Sequence, residues 1–194
     1  MKIKDMMYIS LFAAVIAVLG LVPPIPVPFT PVPITLQSLG VGLAGAVLGA
    51  KRGFLSIFLF VLLVAAGVPL LAGGRGGLAV LFGPSGGYVM GYPIGAFVVG
   101  LLVERYWDKL KFWNLFFFQV IGGIIVVHFF GIIYLSYITE TPLLAAALSS
   151  AVFLPGDTLK LLAASYIARQ INQRHPLIKA NKQKEPPVLS KRLV

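Results

Sequence analysis

Two charged residues, Asp157 and Lys160, stand inside a long apolar run and are the residues of this chain best placed for chemistry. The run extends from Leu143 to Ile167 and holds no other charge. A charged side chain at membrane depth costs about 2.5–3.5 kcal/mol on insertion scales, so such residues usually pair, face a cavity or serve function. At positions i and i+3 of a helix the two side chains share a face and can neutralise each other. The pair predicts either the floor of a polar binding site or an ion pair that locks two helices together.

Pro155 and Gly156 come directly before this pair. Proline removes a backbone N–H and glycine loosens a helical turn, so the sequence predicts a break or kink at this point. An ion pair that only locks two helices has no need of such a break. The Pro-Gly dipeptide therefore favours the binding site.

Further polar candidates lie near the starts of two other apolar segments. Thr35 and Gln37 open one segment, and Tyr88 and Tyr92 lie four residues apart on one face of another. All four are candidates for contact with a ligand in a pocket. Their simpler explanations are a polar cap at the membrane interface for the first two and an interfacial aromatic belt for the tyrosines.

Two loops of unusual composition precede these segments. The stretch 22–33 contains six prolines in twelve residues, which predicts an extended, polyproline-like segment with no helix and no strand ladder. It is either a rigid connector or, as we favour, a preorganised wall over a pocket, because a preorganised loop binds at lower entropic cost.

The stretch 72–87 is rich in glycine and carries one charge, Arg75. It lacks the Gly-Lys-Ser/Thr of a phosphate loop, so we interpret it as a mobile lid, with Arg75 as an anion partner or an exposed interfacial residue.

Composition sets the class of the protein. Of the 194 residues, 58% are hydrophobic and only 11% are charged, with a mean hydropathy of +0.94, which indicates an integral membrane protein. The net charge of +10 arises at segment ends and in the C-terminal stretch, so it indicates contact with anionic membrane lipid and not with nucleic acid.

There is no cysteine. No metal site is expected, because His128 and His175 are the only histidines, and we interpret His128 as a packing residue. Without a catalytic partner set for Asp157, no enzyme and no catalytic residue are expected.

The predicted fold class is an all-α integral membrane protein with six transmembrane helices. With both termini inside, nearly all lysines and arginines fall on the inner face and Arg75 falls outside, as the positive-inside rule requires. The proline-rich and glycine-rich loops then lie on the outer face and cover a pocket. Residues 1–171 are predicted to form the membrane domain, and 172–194 a basic, flexible cytoplasmic tail. The six apolar segments are Met6–Val22, Ile34–Ala50, Gly53–Leu71, Tyr88–Val103, Phe112–Tyr137 and Leu143–Arg169.

Three motifs, in this order along the chain, resemble the BioY family. They are PFTPVPITLQ at 28–37, GPSGGY at 83–88 and LPGDTLK at 154–160. The resemblance implies the biotin-specific substrate-binding (S) component of an energy-coupling-factor (ECF) transporter, a multi-pass protein of a bacterial-type cell membrane. It implies capture of biotin from outside, no cofactor, and partnership with a transmembrane coupling (T) subunit and two ATPase (A) subunits. It also implies that Asp157 and Lys160 lie in the biotin pocket and that Ala13 and Ala17 dock on the coupling subunit.

This resemblance suggests how the ligand is held. We expect the ureido group at Asp157 and Lys160, with Gln37, Thr35, Tyr88 and Tyr92 nearby. The carboxylate is expected to point outward to Arg75 and to N–H groups of the glycine-rich loop, including Gly87. The alternative function is a stand-alone, proton-coupled secondary carrier for a small organic acid, in which Asp157 and His128 titrate. The inverted repeats typical of such carriers are not visible in the sequence.

Overall fold

The computed structural model describes residues 2–178, and its architecture is mostly helical. Strands β1 (Ile25–Val27) and β2 (Thr30–Ile34) form an antiparallel hairpin after the first helix. A 3₁₀ turn spans Trp107–Lys109, and a π-helical stretch, Val120–Val126, joins two helices into one continuous unit. The α-helices are α1 (Ile3–Leu19), α2 (Gln37–Leu48), α3 (Ala50–Ala65), α4 (Leu78–Leu81), α5 (Gly86–Arg105), α6 (Phe112–Gln119), α7 (Val127–Thr139), α8 (Leu143–Ser150) and α9 (Phe153–Arg174).

Two of the helical units in the described part of the chain are long and apolar enough to cross a membrane. They are Gly86–Arg105 and the continuous helix Phe112–Thr139, and α8 and α9 add a third if this bent pair is one span. The remaining predicted segments correspond to α1, α2 and α3, which have 17, 12 and 16 residues. Large apolar side chains on the outside, such as Ile125 and Phe129 at 59% exposure each, suit a lipid environment.

The core is built around α5 and α2. Helix α5 packs against α2, α3 and α7, and ten of the twelve residues of α2 are buried. Close approach depends on small residues, as the glycines of α2 predict. A Cβ atom at Gly45 would overlap the Ala96 carbonyl oxygen of α5, so only glycine permits this contact.

The prediction that the proline-rich segment forms no ladder is wrong. Ile25 pairs with Ile34 and Val27 pairs with Thr30, so the residues in register are not prolines. Proline lacks only its own N–H, and a strand with proline at alternate positions can still pair through the intervening residues. The segment is extended, as expected, but it is a short hairpin and not a free polyproline stretch.

The break in the last apolar segment lies earlier than predicted. Helix α8 ends at Ser150, α9 begins at Phe153, and the two are bent by 50°. Pro155 and Gly156 lie inside the first turn of α9. Proline is tolerated there because N–H groups of the first turn have no intrahelical acceptor.

The glycine-rich segment forms an ordered turn followed by a short helix. Leu71 and Arg75 exchange two backbone hydrogen bonds, of 2.9 and 3.2 Å, around the turn. Gly73 and Gly74 adopt φ of +80° and +69° in this turn, a region that glycine enters without strain. The predicted lid therefore has a defined backbone in this structure.

The packed helical domain extends beyond residue 171. Helix α9 continues to Arg174, the Asn172 Nδ2 donates to the Ala46 carbonyl oxygen at 3.0 Å, and Ile178 is buried. The other residues of the predicted tail, 179–194, lie outside the described residues.

The small-residue pair of α1 is directed largely toward the protein interior. Ala13 is only 4% exposed and packs in the core where α1 meets α2 and α3. The docking of Ala13 and Ala17 on the coupling subunit stays a prediction. Ala17 is half-buried.

Candidate ligand-binding site

A cavity lies where the hairpin, the glycine-rich turn and four helices meet. It encloses about 620 Å³ of empty space when its open mouth is included. The walls combine apolar side chains with a few polar ones. It is lined by Val32, Pro33, Ile34, Thr35, Gln37, Ser38, Leu71, Arg75, Ser85, Tyr88, Val89, Tyr92, Gly123, Val127, His128, Phe153, Asp157 and Lys160.

The predicted pair forms an ion pair on the cavity wall. Lys160 Nζ lies 2.7 Å from Asp157 Oδ1, and the two side chains are 11% and 10% exposed. Ser38 Oγ donates to the same Asp157 oxygen at 3.1 Å. Asp157 therefore has one oxygen fully engaged and presents the other, Oδ2, on the opposite side of the carboxylate.

Lys160 also connects α9 to the end of the hairpin. Its ammonium donates to the Thr35 carbonyl oxygen at 2.7 Å and contacts Ser38 Oγ at 3.1 Å. With the bond to Asp157, these contacts use all three donors of an ammonium group. Lys160 thus acts on protein groups in this structure and fixes the segment that leads from β2 into α2.

His128 was interpreted as a packing residue, but its ring lines the cavity. Its Nε2 lies 3.6 Å from Asp157 Oδ2, and its Nδ1 lies 3.1 Å from the Ile124 carbonyl oxygen. Tyr88 packs edge-on against the ring with centroids 5.6 Å apart. The π-helical stretch ends just before this turn, and such stretches are frequent at functional sites.

Tyr88 and Tyr92 are both buried and line the cavity, which places them in the pocket and not in an interfacial belt. The Tyr88 hydroxyl is 2.7 Å from Ser150 Oγ on α8, so it is already hydrogen-bonded. The Tyr92 hydroxyl lies beside the Thr35 side chain.

Gln37 lines the cavity, yet its amide serves the protein backbone. Its Nε2 donates to the carbonyl oxygens of Ile16 at 3.3 Å and Leu70 at 3.0 Å, and its Oε1 accepts from the Ala72 N–H at 3.2 Å. Gln37 is 1% exposed. The side chain therefore joins α1, α2 and the glycine-rich turn.

Arg75 and Gly87 occupy different surroundings. Arg75 is half-buried beside the cavity and its Nε donates to the Ala72 carbonyl oxygen at 3.1 Å. Gly87 is not a lining residue. It packs against α7, where an added Cβ would overlap the Tyr134 side chain. A direct ligand contact by Gly87, as expected from the sequence, does not fit this position.

Two polar residues beside Asp157 were missed as binding candidates. Ser38 gave no signal beyond its place one residue after Gln37, and His128 was judged on its apolar neighbours in sequence. Only the packing of α2 and of the π-helical stretch against α9 brings both side chains to Asp157. Among the described residues, no group of three or more histidine, aspartate or glutamate side chains could hold a metal ion.

Comparison with known proteins gives consistent matches over nearly the full chain. The model of the BioY family matches residues 1–177. The biotin transporter BioY of Rhizobium etli is 43% identical over 185 residues, covering 93% of this chain and 99% of the relative. The probable biotin transporter BioY of Bacillus subtilis is 45% identical over 173 residues, covering 89% of this chain and 92% of the relative.

A solved structure matches the fold. The S-component for biotin from an ECF-type ABC transporter, a crystal structure at 2.1 Å, superposes with a TM-score of 0.85 at 36% identity. The match covers 88% of this chain and 92% of that chain.

Proposed function

The chain belongs to the BioY family, and on this premise we propose that it captures biotin as the substrate-binding component of an ECF transporter. The observation that carries the proposal is the ion pair of Asp157 and Lys160 on the wall of a largely apolar cavity. As a family of transporters, BioY proteins are not enzymes. In this chain the buried charges of Asp157 and Lys160 bind the ligand and do not catalyse a reaction.

The chemistry of the cavity suits the parts of biotin. Biotin has a polar ureido group, an apolar fused ring and a valerate chain that ends in a carboxylate. Val32, Val89, Val127 and Phe153 provide apolar walls, and the polar atoms cluster at Asp157. A site with a few placed polar groups among apolar walls orients a ligand through those groups.

The ureido group is placed at the ion pair. Asp157 Oδ2 accepts one ureido N–H, because Oδ1 is occupied by Lys160 and Ser38. Lys160 can donate to the ureido oxygen by giving up its longer contact, the one of 3.1 Å to Ser38. A buried site of this kind rejects analogues without the ureido donors, because its polar atoms then stay unpaired.

The valerate chain runs along the hairpin, and the carboxylate points to Arg75. Arg75 is the charged residue of the cavity lining that is not part of the cluster around Asp157. A guanidinium recognises a carboxylate with paired hydrogen bonds, which gives the site an orientation as well as affinity.

The membrane arrangement follows from the same assignment. The chain crosses the cell membrane six times, with both termini inside and the hairpin and glycine-rich turn on the outer face above the pocket. It works with a coupling subunit and two ATPase subunits. Residues 179–194 add positive charge on the inner side and favour contact with anionic lipid.

Isothermal titration of the purified protein with biotin tests the proposal. We expect tight binding by the unmodified protein and a large loss in Asp157→Asn. Glu140→Gln, at an exposed acid in the turn between α7 and α8, is the matched control and should bind normally. Equal affinity in Asp157→Asn and the control would remove Asp157 from the site.

Uptake into vesicles separates the transporter type. An S component alone in vesicles without ATP or partner subunits binds biotin but does not accumulate it. Accumulation that collapses with an uncoupler would instead support the stand-alone proton-coupled carrier.

A further inference from the structure

We propose that His128 Nε2 is a ligand-binding acceptor that shares one N–H of a cyclic urea with Asp157 Oδ2. The inference rests on the proposed function, since it names a further group of the same site. The Nε2 atom of His128 makes no hydrogen bond within the described part of the chain.

The hydrogen bond at the far side of the ring fixes the tautomer. Nδ1 lies 3.1 Å from the Ile124 carbonyl oxygen, and a carbonyl oxygen can only accept. The proton of the neutral imidazole is therefore on Nδ1, and Nε2 carries a lone pair. The ring is 8% exposed, and Nε2 has no hydrogen-bond partner among the described residues.

The lone pair of Nε2 lies beside a second acceptor. Asp157 Oδ2 is 3.6 Å away, and the hydrogen bonds of that carboxylate run through Oδ1 to Ser38 and Lys160. His128 and Asp157 both line the cavity, and Nε2, which is itself almost fully buried, and Oδ2 are two adjacent acceptors without a donor between them. One N–H pointing between them makes a three-centre hydrogen bond, a common arrangement in proteins. A cyclic urea supplies such an N–H.

The surroundings hold the ring in this orientation. Tyr88 packs against it at an interplanar angle of 88°, and Phe153 lies with its centroid 6.2 Å away. Ile124, which fixes Nδ1, belongs to the π-helical stretch. A ring held on both sides and at Nδ1 presents Nε2 in a constant direction, so its lone pair is preorganised.

The test combines a change in the protein with a change in the ligand. His128→Phe keeps a ring for the contacts with Tyr88 and Phe153 but removes the acceptor, and His128→Gln offers an amide oxygen instead. The ligands are biotin and its two mono-N-methyl ureido derivatives, each of which lacks one N–H. His175→Phe, at an exposed histidine near the end of α9, is the matched control. Binding is measured by isothermal titration, with thermal unfolding to verify that each variant is folded.

We expect His128→Phe to weaken biotin binding about tenfold, the effect of one hydrogen bond, and His128→Gln to recover part of it. For one of the two methylated ligands, His128→Phe should cause no further loss, because the N–H that His128 accepts is already absent. The control should bind as the unmodified protein does.

Unchanged biotin affinity in a folded His128→Phe protein would overturn the inference. So would an equal tenfold loss for all three ligands, which would mean that His128 acts only as an ion-pair partner of Asp157. Absence of biotin binding by the unmodified protein would instead contradict the proposed function, so the two failures are distinguishable.

Discussion

Removal of the Lys160 ammonium should destabilise the protein unless the acid beside it is removed as well. In Lys160→Met the Asp157 carboxylate, 10% exposed, loses its charge partner, and the Thr35 carbonyl oxygen loses its donor. Breaking a buried ion pair at one side lowers the free energy of unfolding by about 3–5 kcal/mol, chiefly because a charge stays buried and unpaired. We expect a loss of that size for Lys160→Met.

The double variant Lys160→Met/Asp157→Asn should be more stable than Lys160→Met alone. Replacing both members of a buried pair by uncharged groups of similar size is often close to neutral, so we expect a loss of about 1–2 kcal/mol. Asp157→Asn alone should also lose about 3–5 kcal/mol, because the Lys160 ammonium then stays buried without a charge partner. The two changes are thus strongly non-additive, while both single variants and the double variant bind biotin poorly.

The measurement is unfolding by dodecyl sulfate in mixed micelles at neutral pH, followed by helical circular dichroism and by the fluorescence of Trp107 and Trp113. Glu140→Gln serves as the control for a change of an exposed charge. Independent sites add to within about 0.5 kcal/mol. If the loss in the double variant equals the sum of the single losses within that range, Asp157 and Lys160 do not form the coupled pair described above.

Three further predictions address other parts of the structure. Gln37→Leu should lower the free energy of unfolding by about 2–3 kcal/mol, because buried backbone groups of Ile16, Leu70 and Ala72 lose their hydrogen-bond partners. Thermal unfolding measures the effect, and an unchanged melting temperature would argue against a stabilising role for these hydrogen bonds. Arg75→Ala should weaken biotin binding roughly 10- to 100-fold and leave biotinamide binding unchanged, because only biotin has a carboxylate that makes a charge-assisted contact with Arg75. The affinities are measured by titration with both ligands, and equal losses would mean that the carboxylate does not contact Arg75. Gly45→Val should lower the free energy of unfolding by about 1–3 kcal/mol or more, because the new side chain overlaps the Ala96 carbonyl group. Leu62→Val, on the exposed side of α3, is the control and should have little effect. Similar stability of the two variants would contradict the close contact of α2 with α5.

Asp157 and Lys160 could be identified from sequence, because the energetic cost of a charge within an apolar run is evident from the neighbouring residues alone. A carboxylate and an ammonium within an apolar run stand out without any knowledge of the fold, and their spacing of three residues placed them on one helix face. Seven of the eight predicted ligand-binding residues line the cavity, and the exception is Gly87. The family assignment likewise depended on contiguous motifs, and the comparisons agree with it.

The roles of these residues were harder to predict, because they depend on distances between elements. Gln37 looked like a ligand contact until the positions of α1 and the glycine-rich turn showed three backbone partners. Ala13 carried a recognisable spacing, but which side of α1 faces the interior depends on α2 and α3. His128 had apolar neighbours in sequence, yet the carboxylate beside it belongs to a helix nearly thirty residues later. The bend lies before Phe153 and not at Pro155 itself, because a proline excludes the carbonyl group four residues before it, here that of Ala151.

The bridge made by the Gln37 amide reaches only main-chain atoms at positions 16, 70 and 72. Its hydrogen bonds therefore do not depend on which side chains stand there, provided that the backbone keeps its course. The segment around the cavity mouth is free to diverge in sequence, and with it the shape of the entrance, while its attachment to the helices persists. One glutamine side chain on α2 thus holds the loop without fixing the identity of the loop's own side chains.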